Sequence, residues 1–74
     1  MARRIVDWFP EFPDLSQERV REIVMAVGDV VDVNDGALPE QVLEMALEEV
    51  ADGQGAPRPM VERIAREMLG MKPA

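Results

Sequence analysis

The chain contains no cysteine, no histidine, no tyrosine and no threonine, and it has single copies of serine (Ser16), lysine (Lys72) and asparagine (Asn34). Each absence closes a route. No disulfide can form, and the usual cysteine and histidine zinc ligands are missing. No Cys or Thr nucleophile exists, and no histidine can activate Ser16. What remains is carboxylate chemistry of the glycosidase kind, which needs a deep substrate cleft. A chain of 74 residues can hardly build one. The expectation is a non-enzymatic protein with no metal and no cofactor.

Long hydrophobic runs are missing too. Arg3 and Arg4 give the start a basic character, but Asp7 interrupts the apolar stretch behind them. No segment approaches the ~20 apolar residues that a membrane span requires. With cysteine absent as well, the chain reads as cytoplasmic, with no membrane among its partners.

At this length one domain, 1–74, is the expectation. A domain so short buries only about 60% of its unfolded surface, so it is marginally stable alone. Partner binding or a homodimer would offset that.

Apolar spacing predicts an all-α fold: a small bundle of three main helices with a short N-terminal element, helical or extended, over about 3–9. The first helix spans about 15–33. Val20, Ile23, Val24, Val27, Val30 and Val31 make its apolar face. Asp14 or Ser16 can cap it, with Gln17 placed as in a capping box on Asp14. Valine is a mediocre helix former and Gly28 weakens the helix further, so a strand over 30–33 competes. Asn34 or Gly36 can take the positive φ that ends the element. The second helix, about 39–51, opens on Pro39 and buries Val42, Leu43, Ala46, Leu47 and Val50. A long, mobile loop is expected over 52–58. The third helix, about 59–69, carries Val61, Ile64, Ala65 and Met68 on one face and stops at Gly70.

Charge is the strongest signal. The formal net charge is −7, and it is unevenly placed. Residues 22–57 hold nine acids and no base, 1–21 hold four of each, and 58–74 hold four bases and two acids. Glu40, Glu44, Glu48 and Asp52 recur every fourth residue. On an α-helix four residues advance about 6 Å and turn about 400°, giving a slowly winding acidic ridge about 18 Å long. Like charges at this spacing destabilise an isolated helix by about 0.2–0.5 kcal/mol per pair. A surface serving solubility alone would intersperse both signs.

This pattern points to a docking face for a basic partner protein, in which Glu40, Glu44, Glu48, Glu49 and Asp52 pair with Arg and Lys. Asp29 and Asp32 would form a supporting row. One DNA strand carries a charge every ~3.4 Å, so imitation of a duplex would require that second row. An acidic inhibitor or regulator covering a nucleic-acid-binding surface is the sharper expectation. Small phage-encoded inhibitors of host defence act in this way, an analogy of size, charge and missing catalytic groups. The bland alternative is a solvated face.

The three aromatics, Trp8, Phe9 and Phe12, fall within five residues, between and around Pro10 and Pro13. They suit either the open end of an aromatic-poor core or an exposed anchor. Of the methionines, Met25 and Met45 lie beside their helices' apolar faces and are expected to be partly exposed.

Two motifs fail on inspection. Asp32 to Gly36 resembles part of a calcium loop, but Val31 and Val42 stand where its first and last ligands belong. A helix-turn-helix over the last two helices would bring Glu44, Glu48 and Glu49 toward phosphate, so direct nucleic-acid binding is not expected. The competing function is a structural or assembly subunit that homodimerises or completes a larger complex through apolar helical surface.

Overall fold

A computed structural model describes residues 12–72. Its described part is all-α, three helices around one core. The expected N-terminal element over 3–9, with Trp8 and Phe9, lies outside the described residues.

Helix α1 spans Gln17–Val33. Ser16 is its cap: the hydroxyl accepts from the Arg19 amide at 3.1 Å. The Asp14–Gln17 box is therefore not the one used, because the helix starts two residues later than Asp14 could cap. Val20, Ile23, Val27 and Val30 are buried, and Val24 and Val31 pack at their margin. Burial of this stripe outweighs the poor propensity of valine, so 30–33 is helix and not strand. At its C-terminal end the Asn34 side-chain amide donates to the Val30 carbonyl at 2.8 Å. Asn34 keeps a negative φ of −111°, and Gly36 takes the positive one, +92°.

Helix α2, Pro39–Ala46, runs without a break into a π-helical segment, Leu47–Asp52. The sequence explains the change. Val42 and Leu43, Ala46 and Leu47, Val50 and Ala51 are all buried. These pairs recur every four residues, longer than the 3.6-residue turn of an α-helix. In a continuous α-helix the stripe would drift about 40° per repeat and wind off the core. The wider i→i+5 turn removes that drift. The Gly53 amide closes the segment, donating to the Glu48 carbonyl five residues back.

The expected mobile loop over 52–58 is instead a tight connection. Gly55 turns the chain at φ +73°. Ala56 is buried, and its amide donates to the Val50 carbonyl at 3.3 Å. The Arg19 guanidinium donates to the Gln54 carbonyl at 3.0 Å, tying this turn to the start of α1.

Helix α3 spans Arg58–Met68. Met60, Val61, Ile64 and Ala65 are buried, and Met68 packs at the edge of the core. Gly70, at φ +70°, ends it. The Gly70 amide donates to Glu67 and the Met71 amide to Arg66, at 3.3 and 2.8 Å, which is the paired bonding of a Schellman stop.

Among the described residues the buried core is aliphatic, and no polar or charged side chain is buried. Phe12 and Leu15 are half-buried and pack against its edge. Among the described residues no helix is long and apolar enough to cross a membrane.

Candidate docking surface

The acidic ridge is built by the same four-residue beat that shapes the core. From Leu43 to Asp52 an inward-facing apolar residue is followed at each repeat by an acid: Leu43-Glu44, Leu47-Glu48, Ala51-Asp52. The apolar members face the core, so the acids are carried on the outer side. Glu40, Glu44, Glu48, Glu49 and Asp52 are all exposed. Four steps in an i→i+5 helix fall short of a full rotation, whereas in an α-helix they overshoot it. The drift of the ridge therefore reverses in the π segment. Asp52 swings back toward the line of Glu44 instead of winding on by a further 40° or so. The ridge is straighter and shorter than α-helical spacing alone predicts.

Not all of its charge is equally available. Asp52 pairs with Arg58, at the start of α3, at 3.6 Å. That pair is open to water and contributes little energy, but it occupies the end of the ridge nearest α3. Glu40, Glu44, Glu48 and Glu49 lie on an element, Pro39–Asp52, that contains no base.

Asp29 and Asp32 are exposed on α1. At 100° per residue they lie on the far side of α1 from the Val20–Val30 stripe, just as Glu44 and Glu48 lie on the far side of α2 from its stripe. Each row points away from the shared core on its own helix. Met25, 62% exposed, sits within the α1 row between Glu22 and Asp29, and Met45 is exposed beside Glu44 and Glu48. Glu22 pairs with Arg19 at 3.4 Å on the same helix.

Within α3 Arg66 pairs with Glu62 at 3.1 Å, an ordinary i,i+4 helix-surface pair. Among the described residues no group of three or more acids is placed to hold a metal ion. Asn34, the centre of the calcium-like stretch, turns its side chain to the end of α1. Phe12 is half-buried at the core's edge, while Trp8 and Phe9 lie outside the described residues.

One surface feature is not apparent from charge or periodicity. Leu38, Pro39, Glu40 and Met71 line a shallow, open depression where α2 begins and the chain leaves α3. Leu38 stands at the N-cap of α2, makes no side-chain cap, and is 65% exposed. The signal in the sequence is a leucine immediately before the Pro39 helix start, where Ser, Thr, Asp or Asn is the usual choice.

Compared with protein-family models, curated proteins and solved structures, the chain matches none of them.

Proposed function

We propose that this chain is a non-enzymatic binding module that docks the acidic face of α2 and its π segment on a cationic surface of a partner protein. The observation that carries the reading is the exposed line Glu40, Glu44, Glu48, joined by Glu49, on an element without a single base. Holding like charges in a row is unfavourable within the isolated chain and becomes favourable only against positive charge. An inhibitor or regulator of a nucleic-acid-binding protein is the finer form of the proposal. In that form the partner reaches round the bundle from α2 to Asp29 and Asp32 on α1, and reversing their charge weakens the complex as well.

The test is affinity capture from a host lysate at low salt, with and without nuclease, using the native chain and a Glu44→Lys/Glu48→Lys variant. Both positions are exposed, and the first substitution sets a lysine four residues after Glu40, the favourable i,i+4 order, so the variant keeps its fold. Capture is expected to be lost in the variant and to fall steeply between about 50 and about 200 mM salt. Undiminished capture by a folded variant would sink the reading. Capture that ignores salt but depends on apolar surface would favour the assembly-subunit alternative.

A further inference from the structure

We infer that the depression lined by Leu38, Pro39, Glu40 and Met71 is an apolar anchor point continuous with the acidic ridge, and that its occupant is a cationic segment of the partner bearing one large apolar side chain beside its Arg or Lys residues. This inference rests on the docking reading of the ridge and specifies what the partner must look like.

The depression is built where the start of α2 meets the chain leaving α3. On one wall Leu38 closes the α1–α2 turn, and its carbonyl accepts from the Gln41 and Val42 amides at 3.0 and 3.1 Å. Its backbone thus has the N-cap role and N-cap geometry, φ −66° and ψ 138°. The side chain does not share that role. It is apolar, 65% exposed and uncapping, at a position where a small polar residue would satisfy a further helix amide. Local preferences are broken in this way at functional sites. On the other wall Met71 is set by backbone, not by chance. The left-handed Gly70 and the Met71–Arg66 bond direct it, and the Arg66 guanidinium holds the Lys72 carbonyl at 3.1 Å. Methionine is an adaptable lining for an apolar guest.

Charge decides the occupant. Glu40 is both a wall of the depression and the first acid of the ridge, and Glu44 and Glu48 lead away from it along α2. Glu40 is the one charged residue among those that line the depression. A second copy seated here would set Glu40 against an acidic chain of net charge −7. A segment with an apolar side chain in the depression sets its cations against Glu40, Glu44 and Glu48.

Two dye-labelled synthetic peptides of equal charge test this. One carries a leucine ahead of three arginines at alternate positions, about 6.6 Å apart in an extended segment and so close to the ~6 Å spacing of the acids, and the other has glycine in place of the leucine. Binding is read by fluorescence anisotropy against the native chain, Leu38→Ser and Glu44→Lys/Glu48→Lys. The leucine peptide is expected to bind the native chain about five- to tenfold more tightly than the glycine peptide. That preference should fall toward unity in Leu38→Ser. This variant does not fold less well, because serine supplies the missing cap. The ridge variant should weaken both peptides together.

Equal, salt-sensitive binding of both peptides would overturn the anchor and leave the ridge standing. A leucine preference that survives Leu38→Ser would place the anchor elsewhere and overturn it too. Binding of neither peptide would overturn the ridge reading and the anchor with it. Light scattering that shows a dimer abolished by Leu38→Ser would assign the depression to a second copy, against this inference.

Discussion

Gly28 lies within the 17-residue span of α1, where glycine weakens a helix by about 1 kcal/mol relative to alanine. Its φ is not positive, and a Cβ built there would meet the Met68 Cε at 3.9 Å, an ordinary contact. Nothing in the fold demands glycine at this point. Gly28→Ala is expected to raise stability by about 0.5–1 kcal/mol, checked by urea denaturation. Gly36, Gly55 and Gly70 are different, since all three hold positive φ. At this scale the sequence is readable where a residue's chemistry is singular: Ser16 as a cap, Gly70 as a stop, Met25 and Met45 as exposed. It is ambiguous where two neighbours could serve, as with Asn34 and Gly36. The choice there turns on Asn34 using its amide to cap α1, which suits a negative φ. It is silent on Leu38, because exposure is a property of what packs nearby and not of the residue.

At the scale of elements, the helices are legible from apolar spacing and the π segment is not. Its signal is present: both the apolar pairs and the acids step by four from Val42 to Asp52. That beat fits neither a 3.6-residue turn nor a strand, and an average of α and π turns accommodates it. The tight turn after Gly53 is hidden for the same reason, since the wider helix carries the chain on to a buried Ala56. Deletion offers a direct check. Removing Glu49 shortens the beat, and a continuous α-helix would then keep Val50 and Ala51 on the buried stripe. This deletion is expected to fold with a change within about 1 kcal/mol, because the extra π residue is what it removes. Removing Met25, also exposed to solvent, would rotate Val27 and Val30 about 100° off the core and cost at least ~3 kcal/mol. Paired thermal melts followed by far-ultraviolet circular dichroism distinguish these outcomes, and equal losses in the two deletions would refute the account of the π segment.

For the whole molecule, the acidic surface sets opposite demands on folding and on docking. Repulsion along Glu40, Glu44 and Glu48 weakens the free chain, and salt relieves it. Raising ionic strength from about 10 to about 150 mM shortens the screening length from ~30 to ~8 Å. The melting temperature of the free chain is therefore expected to rise by a few degrees over that range, which differential scanning calorimetry can record. The same change should loosen a complex held by the ridge. A melting temperature that falls or stays fixed would show that the ridge charges do not sense one another.

The aliphatic core has an optical consequence. Phe12 is the sole aromatic among the described residues, and it stands at the core's edge. Among the described residues there is thus no indole or phenol chromophore, and the chain's one tryptophan is Trp8. Tryptophan emission reports the surroundings of residue 8, and amide dichroism reports the helices. The two signals are separate windows on one chain: a change in emission is read at residue 8, and a change in the melt is read in the helices between Gln17 and Met68.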